Sequence, residues 1–276
     1  MEDTMKLQLN GTGASEAFPS LFCTCKYCTE ARELGGKNLR RRTSSCIDEK
    51  ILIDFSADTY ALSTQAHVDL SKIHHLIVTH SHADHFFPTD FHYLLPPFCI
   101  EPHPFTIYGN SSVHKKFKEE HRDNAALLSH VKFCELTGGV PFFIDDYKIT
   151  PVSTLHDAKE DCFIYIVEKD SRELLYAHDS TFFPEETWRH LSSHRFSLVV
   201  LDCTSIEVGH HFPNHMGLPD NILVKERMQK EGMANENTRF VITHFAHTFN
   251  PLHEHTDSLA RTNGFIAAFD GMVLDI

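Results

Sequence analysis

The stretch His80-Ser81-His82-Ala83-Asp84-His85 constrains this chain more than any other. It follows Leu76-Ile77-Val78-Thr79, a brief β-branched run that reads as a buried strand. Four candidate metal ligands therefore leave a strand end within six residues. Neutral imidazole together with carboxylate suits zinc, manganese or iron. Neighbouring side chains point in different directions, so one ion cannot easily take all four. His80 and His82 are expected to face one ion, and Asp84 and His85 a second. Two ions so placed can activate water and clamp both oxygens of a displacement. A solvated polar loop would need no such spacing.

Composition narrows what such a site can serve. The 276 residues, 41% of them hydrophobic, can bury a sizeable core, and the chain is read as one domain over 1–276. A formal charge of −13 argues against extended binding to nucleic acid or to an anionic membrane. Arg40-Arg41-Arg42 is the one dense basic run and is expected to be a solvated loop. No stretch approaches the ~18 apolar residues of a membrane helix. The start, Met1 to Lys6, lacks a basic segment followed by an apolar one, so a cytoplasmic location is expected. Eight cysteines then read as reduced thiols or metal ligands rather than disulfides. The 22 histidines cannot all be ligands, so position must decide among them.

Along the chain, Lys6 to Asn10 alternates as a strand, and Gly11-Thr12-Gly13-Ala14-Ser15 turns sharply. The glycines there let backbone N–H groups approach an anion or a neighbouring chain segment. Cys23-Thr24-Cys25-Lys26-Tyr27-Cys28 is a thiolate knuckle that wants a fourth ligand from elsewhere, and a structural zinc is the expectation. His247 is the candidate partner; Cys46, His253 and His255 compete with it. Helices are expected over 29–34, 58–66 and 219–230, and one capped by Ser111-Ser112 that runs to Asp123. A hairpin is expected over 43–48 and 50–54, with further hairpin-like pieces around Gly138-Gly139 and Asp145-Asp146. Other strands are expected over 105–109, 149–156, 162–167, 173–178, 197–202 and 240–244. Phe86 to Pro97 is aromatic and serves either core packing or a cap over the site.

The H-x-H-x-D-H run after an apolar strand resembles the metallo-β-lactamase superfamily, mostly metal-dependent hydrolases. The resemblance implies an α+β fold, a four-layer αββα sandwich. It implies that His156 and His244, each closing a strand, are metal ligands. It implies that Asp179 bridges two ions and that Asp54 orients a metal-site histidine. His215-Met216-Gly217 resembles a loop of phosphodiesterase branches whose histidine binds phosphate or protonates a leaving group; His210 and His211 compete for that place. The cysteine knuckle, the histidine-rich loop and His244-x-x-His247 together resemble the PhnP branch, phosphodiesterases that open cyclic ribose phosphates. The chain departs from the family at Ser56, at Phe86-Phe87-Pro88-Thr89 and at His178, where small residues are usual.

On this basis His80, His82 and His156 form one expected site, and Asp84, His85 and His244 the other, with Asp179 between. Asp84 and His215 are the candidate catalytic residues, His215 as the acid for the departing alkoxide. Two catalytic divalent metals, manganese or zinc, and one structural zinc on Cys23, Cys25, Cys28 and His247 are expected. The expected activity is hydrolysis of small phosphodiesters, cyclic ones included, by a hydroxide held between the ions. A thioester or lactone hydrolase and a tRNA 3′-processing-like nuclease are the alternatives; the extended basic exosite of the latter is not found. A homodimer stays open.

Overall fold

The structure is a computed structural model that describes residues 5–65, 68–209 and 214–276. Its two sheets are filled in chain order. The first takes β1 (Lys6–Gly11), β2 (Ser44–Ile47), β3 (Ile51–Ile53), β4 (His75–Ile77), β5 (Phe105–Gly109) and β6 (Val131–Glu135). The second takes β7 (Phe142–Ile144), β8 (Tyr147–Thr154), β9 (Cys162–Lys169), β10 (Arg172–Ala177), β11 (Leu198–Asp202), β12 (Arg239–Thr243) and β13 (Ile266–Ala267). The last strand, β14 (Met272–Asp275), returns to the first sheet and pairs antiparallel with β1, Lys6 opposite Asp275. Among the described residues each sheet thus has seven strands.

Strand alternation decides the layering. In β3, Ile51 and Ile53 join the core between the sheets, whereas Leu52 joins a second core on the outer face. Val113 and Phe117 of α3 (Ser111–Glu120) and Leu127 of α4 (Ala125–His130) cover that outer face. Trp188 and Leu191 of α5 (Glu185–Leu191), Val224 and Met228 of α6 (Leu218–Lys230) and Ala260 of α7 (His253–Thr262) pack with the second sheet. The result is the α+β, αββα sandwich. Polar ties cross the inner seam: Tyr165 donates its hydroxyl to the Val78 carbonyl at 2.6 Å, and Ser45 and Tyr176 share a hydrogen bond of 2.8 Å.

Several expectations shift. The helix expected from Thr29 begins at Lys26, so Cys28 lies in its first turn. The cap of α3 is Asn110, whose Oδ1 accepts from the Val113 N–H at 2.9 Å; Ser111 and Ser112 are already helical. Gly138-Gly139 is no hairpin: the chain crosses there from β6 to β7 in the other sheet. The strand before His156 ends at Thr154. The helix expected over 58–66 spans Thr59–Gln65, its final residue Ala66 lying outside the described residues.

Arg40-Arg41-Arg42 is not a solvated loop. Arg40 is fully buried, stacks on Phe245 at 4.4 Å and donates to the Ala268 and Pro251 carbonyls at 2.6 and 3.1 Å. Burial lowers its pKa to about 10. Arg42 pairs with Asp58 at 2.9 Å, and Arg41 with Asp270 at 3.4 Å. The glycine-rich turn is equally occupied: the Gly13 N–H goes to Arg41 O at 2.8 Å and the Ala14 N–H to Phe245 O at 3.1 Å. A Cβ on Gly11 would stand 2.0 Å from the Arg42 carbonyl oxygen, which is why glycine is needed. The turn approaches a neighbouring chain segment rather than an anion.

Candidate metal centre

β3, β4 and β5 run parallel in the first sheet, and β10, β11 and β12 in the second. Their carboxyl-terminal ends supply Asp54, His80, Asp179, Asp202 and His244 from short exits. Asp54, Asp179 and His244 hold φ of 60, 50 and 63°. Such backbone costs about 1–3 kcal/mol per residue. Charge-assisted hydrogen bonds of about 1.5–3 kcal/mol each are of the size needed to hold it. Around Asp54, Oδ1 accepts from the Thr79 N–H at 2.8 Å and Oδ2 from His85 Nδ1 at 2.7 Å. The Asp179 N–H donates to Asp202 Oδ2 at 3.1 Å.

Each histidine of the cluster commits one nitrogen away from the centre. His80 Nδ1 donates to Thr79 Oγ1 at 3.0 Å, because that hydroxyl gives its own proton to Asp54. His82 Nε2 donates to Asp157 Oδ2 at 3.0 Å, and His156 Nδ1 to the Asn214 carbonyl at 3.1 Å. His85 Nδ1 is held by Asp54, and His244 Nδ1 by Thr204 Oγ1 at 2.8 Å. A ligating histidine held in this way has its tautomer and ring direction fixed.

The second nitrogens then converge without partners of their own. His80, His82 and His156 place ligand atoms within 4.8 Å of one another, and so do Asp84, His85, Asp179 and His244. His82 Nδ1 and His156 Nε2 stand 3.2 Å apart. Both rings already donate from the other nitrogen, so two acceptors face each other. Buried His80 Nε2, His85 Nε2, His244 Nε2 and Asp179 Oδ1 make no hydrogen bond. Yet Asp179 Oδ1 is 2.9 Å from His244 Nε2, and Asp179 Oδ2 is 2.5 Å from His85 Nε2 and 3.7 Å from His80 Nε2. Close approach without hydrogen-bond geometry, among buried lone pairs, is the condition a cation relieves. The donor set of imidazole and carboxylate fits divalent metals such as zinc.

Charge states agree. Burial, then the nearby charge of His85, keeps the His80 pKa well below its ordinary value, and burial lowers that of His156. Burial alone would raise Asp84 and Asp179; His85 outweighs it at Asp84, and His244 with His85 at Asp179, so both stay ionised. At His85 burial opposes the charge, but Asp179, Asp84 and Asp54 prevail and raise its pKa well above normal.

His215 lies beside this cluster, its ring 4.9 Å from His156 and 5.4 Å from His244. Its Nδ1 donates to Asp202 Oδ2 at 2.8 Å and is 3.6 Å from Asp179 Oδ1. Burial would lower its pKa, but Asp202 and then Asp179 raise it to about 9. Bound cations would pull that value back down by repulsion. His210 and His211 lie outside the described residues.

Cys23, Cys28 and His247 form a separate group with ligand atoms within 4.8 Å. Cys25 caps the helix α1 (Lys26–Leu34); its N–H donates to Cys23 Sγ at 3.4 Å. The Cys28 N–H, and then the Cys23 thiol, lower the Cys25 pKa, as suits a thiolate at a helix start. His247 Nδ1 is held by Glu16 Oε1 at 2.7 Å, leaving Nε2 for the cysteines. The rival residues lie elsewhere: Cys46 is in the outer core, His255 pairs with Glu207 at 3.1 Å, and the His253 ring packs on Phe269.

Four functional carboxylates were not anticipated. Asp202, at the end of an apolar strand like Asp54, accepts from Asp179, Thr204, His215 and Met216, and the strand-then-aspartate pattern was its available signal. Glu160 anchors the histidine loop through the Ser81 N–H at 3.0 Å and the Asn110 amide at 2.8 Å. Asp157 and Glu16 carried no signal, since their partners are chosen only in the fold. His178 is buried, its ring 5.2 Å from that of His85 and 5.9 Å from that of His244. Phe86 and Phe91 pack in the outer core, so that part of the aromatic segment is packing rather than a cap.

Comparison with known proteins agrees with this geometry. The profile of the beta-lactamase superfamily domain matches residues 49–245. The structure described as "a New Diphosphatase from the PhnP Family" superposes with a TM-score of 0.76 at 21% identity, covering 99% of this chain and 97% of that one. Zn(2+)-bound PqqB from Methylobacterium extorquens gives 0.70 at 15% identity, covering 98% of this chain and 100% of the other. The short form of human tRNase Z gives 0.65 at 16% identity, covering 98% and 99%. No curated protein matches by sequence. With the profile spanning most of the chain, and with two sheets and paired His/Asp clusters behind it, this protein belongs to the beta-lactamase superfamily, as a metallo-β-lactamase-fold hydrolase resembling PhnP.

Proposed function

We propose that this chain hydrolyses small phosphodiesters at a binuclear centre. The observation that carries the reading is the pair of adjoining ligand groups with Asp179 between them, its Oδ1 toward His244 and its Oδ2 toward His85 and His80. His80 Nε2, His82 Nδ1 and His156 Nε2 would hold one divalent ion. Asp84, His85 Nε2 and His244 Nε2 would hold the other, with manganese or zinc both suited. When bound, the ions supply Lewis acidity and an activated water.

The protein's own groups supply the rest. Asp179, with Oδ1 toward His244 and Oδ2 toward both His85 of one group and His80 of the other, would put negative charge where two cations would otherwise repel. Asp54, Asp157 and Thr204 lock ligand rings, so little reorganisation is needed when charge builds on a phosphoryl group. His215, its Nδ1 tied to Asp202, keeps Nε2 free to carry a proton to a departing alkoxide. A diester suits a cluster of this kind because one ester bond can break while the other still holds the substrate. The similarity to a PhnP-family diphosphatase and to tRNase Z supports chemistry at phosphorus. The net charge of −13 favours a small substrate over extended RNA.

The test is a screen of purified protein, with manganese and zinc added back separately. The substrates are a cyclic ribose phosphodiester, bis(p-nitrophenyl) phosphate, a lactone and a thioester. Phosphodiesters should turn over best, and His82→Ala and Asp179→Ala should each abolish turnover and lower bound metal while the protein stays folded. Preference for the lactone or thioester, or full activity in either variant, would sink the reading.

A further inference from the structure

A cavity of about 900 Å³ opens on the outer side of the first sheet, and none of the candidate ligands lines it. Its apolar wall is Leu52, Phe55, Ile73, Phe91, Leu94 and Phe105. Strand alternation separates it from the metal centre, since Leu52 faces outward while Ile51 and Ile53 face the seam between the sheets. Tyr60 and Tyr93, 75% and 52% exposed, stand at its rim. Large aromatic side chains left this open beside an apolar hollow mark a binding surface more than a packing one. The volume lies within the range of about 300–1,000 Å³ usual for small-molecule sites, and the mixture of apolar wall and few polar groups is also theirs.

Two of those polar groups decide the class of occupant. His103 also lines the cavity, its Nδ1 3.2 Å from the Pro104 carbonyl, whereas the Asp90 and Glu101 side chains have no hydrogen-bond or ion-pair partner among the described residues. In a chain of net charge −13 they disfavour any anion, which excludes the cavity as a second station for a phosphodiester. They favour a cation, which gains most when its apolar body is desolvated against the wall.

We propose that this cavity is a binding site for a small aromatic or aliphatic amine, with an apolar body against Leu52, Phe91 and Phe105 and an ammonium group toward Asp90 and Glu101. It is independent of the metal centre and of what that centre hydrolyses. Calorimetric titration of the full chain with 1-naphthylmethylammonium and with 1-naphthoate tests it, because the two probes share a ring system and differ in charge. The ammonium should bind saturably, one per chain, and the carboxylate at least ~10-fold more weakly. The double variant Asp90→Asn, Glu101→Gln changes only partly or fully exposed side chains and should bring the two probes within ~3-fold. Leu94→Trp, filling the cavity, should abolish binding of both, its melting temperature showing that it is folded. Absence of saturable binding, equal or better binding of the carboxylate to the unmutated protein, or unchanged binding in folded Leu94→Trp would each overturn the proposal.

Discussion

At the residue scale the informative fact is which nitrogen each histidine has left. Asp54, Asp157, Thr79, Thr204 and the Asn214 carbonyl take one nitrogen from each ring and leave the other turned inward. His215 differs, since its held nitrogen is paired with a buried carboxylate, Asp202, and it belongs to neither ligand group of the proposed pair of ions. In the proposed reading it carries a proton rather than holding an ion. His215→Ala is expected to keep both ions yet slow turnover by ~10²-fold or more on a substrate with a poor leaving group. With a nitrophenolate leaving group, which needs little protonation, the loss should shrink. Metal content and the two rates check this; an equal loss on both substrates would assign His215 to phosphate binding instead.

At the scale of elements, the knuckle ties the two ends of the chain together. Cys23 and Cys28 lie with His247, three residues beyond His244, and Cys25 caps α1 between the two cysteines. A zinc closed by four such ligands has no open position and acts by holding segments together. Cys25→Ser is therefore expected to release one zinc per chain and to lower the melting temperature, with the catalytic ligands themselves still in place. Zinc analysis beside thermal unfolding checks it. Unchanged zinc content in a folded Cys25→Ser protein would show ordinary thiols. The glycine turn is tied to the same segment, since the Phe245 N–H donates to the Thr12 carbonyl and the Ala14 N–H to the Phe245 carbonyl.

Across the whole molecule, the site exists only where the two sheets meet. One sheet brings Asp54 and the histidine loop; the other brings His156, Asp179, Asp202 and His244. Ions bound between them would therefore stabilise the sandwich itself. Chelation is expected to lower the melting temperature, and metal added back at about 100 times its Kd should restore ~2.7 kcal/mol, or ~5 °C. A melting temperature indifferent to chelator would argue against ions held across the seam. Much of this was legible in sequence. The spacing within His80 to His85 and within the cysteine knuckle is a local pattern that could be read from the residues themselves, whereas Asp179 and His244 were singled out by the resemblance to the metallo-β-lactamase superfamily. His156, also singled out by that resemblance, lies two residues past the end of its strand at Thr154, on the same exit. Other features needed the fold. Arg40 reads as solvated until distant carbonyls of Pro251 and Ala268 close around it. Asp157, Glu16 and Glu160 are ordinary surface-type carboxylates whose partners lie far along the chain, at His82, His247 and Ser81. The sequence by itself determined which residue types leave which strands, because periodicity and spacing are local. Only the tertiary structure decided which atom of each residue faces the centre and where the apolar cavity opens, because hydrogen-bond partners and packing faces come from segments that sequence order keeps apart.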